Sequence, residues 1–110
     1  MSTFGQLITQ ARRKRQLSQK RLASLIEKED GKSITPQYLN DIERDRRTPS
    51  DYVSDQLARV LDLDADYLFF LRGEFPADIK QSSIDQSSFR QAMRVFRSSL
   101  EKRKSDMGSR

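Results

Sequence analysis

The 110-residue sequence contains no cysteine and no histidine. Without cysteine there is no disulfide framework, no thiolate ligand and no thiol nucleophile, a composition that suits a reducing compartment. Without histidine as well, the usual zinc and iron ligands and the commonest general base near neutral pH are missing. A metal site, a cofactor and an enzyme activity are therefore not expected. No stretch approaches the ~20 apolar residues of a membrane span, and the N-terminus has no basic segment leading into an apolar run. The expected setting is cytoplasmic, away from membranes. There is also no glycine-rich phosphate loop and no internal repeat.

What is present is charge. Apolar residues make up 35% of the chain and charged residues 34%, enough for one small core under a densely charged surface, in a chain of single-domain length. The net charge of +5 is unevenly spread. Residues 1–26 carry Arg12, Arg13, Lys14, Arg15, Lys20 and Arg21 with no acid, whereas residues 52–78 carry six acids against two bases. A basic first third suits a polyanion; the alternative is that Arg13 to Arg15 simply solvate a helix end.

Apolar spacing predicts an all-α chain. Phe4, Leu7, Ile8 and Ala11 define a first helix over about 3–15, capped by Ser2 or Thr3. Ser18 caps a second, over roughly 18–28, with Leu22, Ala23, Leu25 and Ile26 as its buried side. Residues 29–33 read as a turn. Thr35-Pro36 pairs a hydroxyl cap with proline at the first helical position, starting a third helix over about 35–45. On it Leu39 and Ile42 point inward, leaving Gln37, Tyr38, Asn40, Asp41 and Arg44 on the other faces. A fourth helix carries Val53, Leu57, Ala58 and Leu61; a fifth carries Tyr67, Leu68 and Leu71 and stops at Gly73. These five helices make a domain over 1–73. Residues 74–87, with Pro76 and Gln81-Ser82-Ser83, read as a linker, and 88–104 as an amphipathic sixth helix with Phe89, Ala92, Met93, Phe96 and Leu100 on one face. Residues 105–110 are expected to be a disordered tail.

The segments Leu17-Ser18-Gln19-Lys20-Arg21-Leu22-Ala23, Thr35-Pro36-Gln37-Tyr38-Leu39-Asn40-Asp41-Ile42-Glu43-Arg44, Pro49-Ser50 and Leu57-Ala58-Arg59-Val60-Leu61 resemble, in order and spacing, the lambda-repressor-like (Xre) helix-turn-helix family. The resemblance covers about residues 3–73. Two features depart from the family pattern: the turn between the second and third helices is longer, and Asp45 stands where glycine is frequent.

The resemblance implies a five-helix DNA-binding domain with an added C-terminal helix. It further implies a transcriptional regulator of bacterial or phage type, most often a repressor, acting at the nucleoid. Its third helix would enter the major groove, with Gln37 reading a base, because a glutamine pairs bidentately with adenine, and with Tyr38, Asn40 and Asp41 as further base readers. Gln19, Lys32, Ser33, Thr35, Arg44, Arg46 and Arg47 would grip phosphates on either side. The family pattern also implies an internal Arg12–Glu43 ion pair. Phe89, Met93, Phe96 and Leu100 need a cover, and a homodimer is favoured because two-fold pairs place half-sites about one turn, roughly 34 Å, apart; docking on the chain's own domain is the alternative. A second class of function is an antitoxin or adaptor in which residues 88–104 bind a protein partner. RNA binding is a weaker third, since no surface aromatic platform is evident. The operator, the regulated genes, activation versus repression and any inducing signal are not written in the sequence.

Overall fold

The order of capping residues sets the order of helices. A computed structural model describes residues 2–108, the last six by backbone alone, and contains α1 (Phe4–Lys14), α2 (Gln19–Ser24), α3 (Pro36–Glu43), α4 (Asp51–Leu61), α5 (Ala65–Leu71), α6 (Ala77–Lys80) and α7 (Gln86–Gly108). Thr3, Ser18, Thr35, Ser50 and Asp64 each accept a backbone N–H three residues on, satisfying donors that a helix start leaves without partners. At α1 the cap is reciprocal, since Gln6 Oε1 accepts the Thr3 N–H at 3.1 Å.

The chain divides into two compact units, residues 1–76 and 77–110. In the first, α1 packs on α3 and α4, α2 on α3, and α4 on α5. Ile8, Leu22, Ile26, Leu39, Ile42 and Leu57 are fully enclosed, with Phe4, Ile34, Val53, Leu61 and Leu68 around them. Arg72 fastens the end of α5 to the start of α4, donating to Asp51 Oδ1 at 3.1 Å and Ser54 Oγ at 3.3 Å.

Three expectations need correction. The second helix ends at Ser24 rather than 28, and Leu25, expected inside, is 39% exposed. The reason is an inserted hairpin-like arm. Ile34 donates its N–H to Ile26 O at 2.9 Å, Lys28 N donates to Lys32 O at 2.8 Å, and Gly31 turns the chain at φ 85°. Among the described residues the Glu27–Ser33 bridge is the only extended pairing. Buried Gln56 on α4 holds the arm from both sides, donating to Glu27 O at 2.6 Å and accepting from Glu27 N at 2.8 Å. Ser50 Oγ donates to Glu29 at 2.7 Å, and this bond is the main reason that the Glu29 carboxyl sits below its ordinary pKa.

Second, the segment expected as a plain linker contains the four-residue α6. Third, the C-terminal helix is longer than 88–104 at both ends. Asp85 caps it by accepting Ser88 N–H at 2.7 Å, a bond that lowers the Asp85 pKa, and its backbone continues helical to Gly108 through most of the expected tail. Residues 109–110 of that tail lie outside the described residues.

Asp45 replaces glycine functionally as well as in sequence. It adopts the left-handed conformation at φ 58°, and its carboxylate accepts from Thr3 Oγ1 and, at 2.8 Å, from Gly5 N–H. The residue that ends α3 thus also caps the start of α1. Asp45→Ala removes both bonds while keeping the left-handed backbone that they help to hold, so a loss of about 1–3 kcal/mol is expected. Asp45→Asn, which tolerates the backbone and keeps an acceptor oxygen, should retain more of the stability. Urea unfolding of both variants gives the comparison, and equal midpoints would remove the capping role.

Candidate nucleic-acid interface

The third helix owes its orientation to a buried ion pair. Arg12 on α1 donates from Nε to Glu43 Oε2 at 2.7 Å and from Nη2 to Glu43 Oε1 at 3.1 Å, the two-point geometry a planar guanidinium favours. The Arg12 and Glu43 side chains are 11% and 4% exposed. Arg12 Nη1 also donates to Leu17 O at 2.8 Å, joining the α1–α2 corner to the pair. Glu43 Oε1 further accepts from Thr9 Oγ1 and from Gln19 Nε2, both at 3.1 Å. Gln19 Nε2 reaches Asn40 Oδ1 as well, at 3.2 Å. Elements α1, α2 and α3 therefore converge on one carboxylate.

This network engages two of the candidate contact residues. Gln19 and Asn40 are half-buried and hold one another, so α2 braces α3 through the same side chains that border the outer surface. The next turn is more open. Gln37 is exposed, and its Nε2 donates to Asp41 Oδ1 at 3.1 Å, an i,i+4 contact that lies along the outer edge of α3. Half-buried Tyr38 lies on the other flank, and the Arg47 guanidinium sits 4.3 Å from its ring centroid. Thr35 is occupied as the cap of α3, accepting Tyr38 N–H at 3.0 Å. Lys32 and Ser33 stand on the returning strand of the arm, exposed, with Ser33 Oγ donating to Ser24 O at 3.4 Å. Arg44 and Arg46 are exposed beyond the end of α3 and have no ion-pair partner among the described residues.

A polar groove of about 550 Å³ opens where α1, α2 and α3 meet, lined by Thr9, Arg12, Arg13, Ser18, Gln19, Asn40, Glu43 and Arg44. Arg12 and Glu43 neutralise one another at its floor, whereas Arg13 and Arg44 on its walls are exposed and unpaired among the described residues. The groove is thus electropositive at its rim. Arg13, one residue from buried Arg12 on α1, lines the same groove from its exposed side, whereas Lys14 and Arg15 are not part of the lining. Thr9, which also lines the groove, is a lone threonine inside an apolar stripe and carries no distinctive sequence pattern.

The second unit presents a different surface. Phe89, Phe96 and Leu100 on α7 are 45%, 47% and 54% exposed, and Met93 is half-buried. Among the described residues no helix is long and apolar enough to cross a membrane, and no cluster of acidic side chains is arranged to hold a metal ion.

Comparison with known proteins places these features in a family. No curated protein matches the chain. A chain in a solved SinR protein/SinI protein complex is similar at 26% identity over 96% of this chain and 99% of that one, with a TM-score of 0.49. A profile of the helix-turn-helix family matches residues 8–68, more than half of the chain and the whole of α2 and α3. The chain accordingly belongs to the helix-turn-helix family, in its lambda-repressor-like branch, and is a DNA-binding regulator.

Proposed function

We propose that the protein is a sequence-specific repressor that inserts α3 into the major groove of duplex DNA and binds as a homodimer. The observation that carries this reading is the outer edge of α3. Gln37 is exposed on it, Asn40 and Asp41 follow at helical spacing, and Lys32, Arg13, Arg44 and Arg46 provide cations on both sides without ion-pair partners among the described residues. A helix in the groove needs that division: a few groups that meet base edges and flanking positive charge that meets phosphate.

In this reading Gln37 exchanges its contact with Asp41 for a base edge, and an adenine offers the matching donor and acceptor. Tyr38 packs against a sugar or a thymine methyl while Arg47 lies over its ring. Asn40 keeps its carbonyl oxygen on Gln19 and turns its N–H groups outward; Asp41 meets a cytosine amino group. Thr35, Ser33 and Lys32 approach one phosphate strand, Arg44, Arg46 and Arg47 the other, and Gln19 sits at the groove where Arg13 adds a contact. Dimerisation through Phe89, Met93, Phe96 and Leu100 supplies the second half-site.

Selection from a random duplex pool yields the preferred site, and titrations against that site and a scrambled duplex then separate the roles. Gln37→Ala is expected to weaken the preferred site by about 1–3 kcal/mol and leave the scrambled duplex unchanged. Arg44→Ala should weaken both and reduce the slope of log K against log salt by about one unit. Equal losses on the two duplexes for Gln37→Ala would remove it from base reading. Failure of the wild-type chain to enrich any sequence would overturn specific recognition.

A further inference from the structure

Charge on α7 is confined to one side and almost to one sign. Within residues 86–102 the basic side chains are Arg90, Arg94, Arg97 and Lys102, against the single acid Glu101. Steps of four and three set the three arginines in one stripe, about 100° around the helix from the line through Phe89, Met93, Phe96 and Leu100. All three are exposed, and none has an ion-pair partner among the described residues.

A merely solvated helix face mixes both signs, so that neighbours three and four residues apart attract. Here the neighbours repel. Arg94 has Arg90 before it and Arg97 after it, and neither Arg90 nor Arg94 has an acid three or four residues away; Arg97 alone has one, Glu101. An anion lying along the stripe relieves that repulsion. The stripe is also all arginine, whose planar fork meets phosphate oxygens at two points where lysine offers a point charge. From Arg90 to Arg97 the helix rises about 10 Å, a length over which a duplex presents about six phosphate charges.

We propose that the Arg90, Arg94 and Arg97 face of α7 is a second duplex-binding site, which takes the phosphate backbone of DNA without regard to base sequence. It rests on DNA binding by the helix-turn-helix unit and not on the assignment of base readers in α3. Because the two units share one chain, the second contact forms intramolecularly once the first is made, raising affinity with no change of preferred sequence. The apolar line of α7 lies on a different face and is not consumed by this contact.

The triple variant Arg90→Gln, Arg94→Gln, Arg97→Gln tests this in the full chain, since glutamine keeps the helix propensity while removing the charge. Titrated against a scrambled duplex over a range of salt, it should show a slope of log K against log salt that is shallower by about 2.7 per bound chain, roughly 0.9 for each phosphate no longer neutralised. Affinity for the preferred and the scrambled duplex should fall by the same factor, on the order of tenfold or more, leaving their ratio unchanged. Phosphate-ethylation interference on the preferred duplex should lose a group of phosphates that Arg44→Ala leaves in place, and the thermal melt of the helix-turn-helix unit should not move. An unchanged slope in the triple variant beside a reduced one in Arg44→Ala would overturn the second site and leave the reading of α3 standing. A loss confined to the preferred duplex would overturn it equally. If the slope is unchanged but the variant no longer binds vesicles of equal parts phosphatidylcholine and phosphatidylserine that the wild type binds, the stripe takes lipid headgroups and the DNA proposal fails.

Discussion

Glu43→Ala is expected to lower the unfolding free energy of the helix-turn-helix unit by about 3–5 kcal/mol, the range for stripping one partner from a buried ion pair. The replacement leaves the Arg12 guanidinium enclosed with only the Leu17 carbonyl to accept from it. It also leaves the Thr9 hydroxyl with the Gly5 carbonyl alone and removes one of the two acceptors of the Gln19 amide. At roughly 4–8 °C per kcal/mol for a unit of this size, the melting temperature should fall by well over 10 °C. The double variant Arg12→Met, Glu43→Leu is expected to regain much of the loss, since a buried pair replaced by apolar side chains of similar volume is often close to neutral. A melt of Glu43→Ala coincident with the wild type would show that the pair makes no net contribution.

The second large effect comes from a residue with no side chain. Gly5 is buried where α1 crosses α3, and a Cβ there would fall 2.6 Å from the Ile42 carbonyl oxygen and against that of Glu43. Both are backbone atoms, so rotamer adjustment cannot relieve the clash and the helices must separate. Gly5→Ala is expected to cost about 1–3 kcal/mol or more, with the extra methyl acting as overpacking. It should also weaken duplex binding, because the displaced helix is α3. Gly31→Ala is the matching control. Gly31 also has a positive φ, 85°, but an added Cβ meets nothing within 4 Å, so a cost of roughly 1 kcal/mol is expected from backbone strain alone. Unfolding and DNA titration measured side by side on the two variants separate helix displacement from general destabilisation.

The five helices of the first unit were legible because each carries both a capping side chain and an apolar stripe. The Arg12–Glu43 contact was available only through family resemblance, since no local pattern relates residues 31 positions apart. The arm between α2 and α3 was half legible. Gly31 marked a turn, but Leu25 and Ile26 extend the apolar spacing of α2 equally well as helix or as chain turning back, and the choice is made by Gln56, 29 residues away from Glu27. A glutamine beside Val53, Leu57 and Leu61 on the buried face of α4 was the available clue that a backbone segment docks there. Asp45 reads in sequence only as the residue after the end of α3; its second role depends on Thr3 and Gly5, about 40 positions away, and requires the fold. Within the site, Gln37–Asp41 follows from helical spacing, whereas Tyr38–Arg47 spans the bend after α3 and requires the fold.

One consequence follows from how α3 is fastened. Glu43 is gripped from α1 and α2, and Asp45 from the first turn of α1, so both sit in bonds that exist before any duplex arrives. The ordering entropy of that rod is lost during folding and need not be lost again on association. Calorimetry should therefore record a heat-capacity change on DNA binding that matches the surface covered, without the larger excess that accompanies coupled folding.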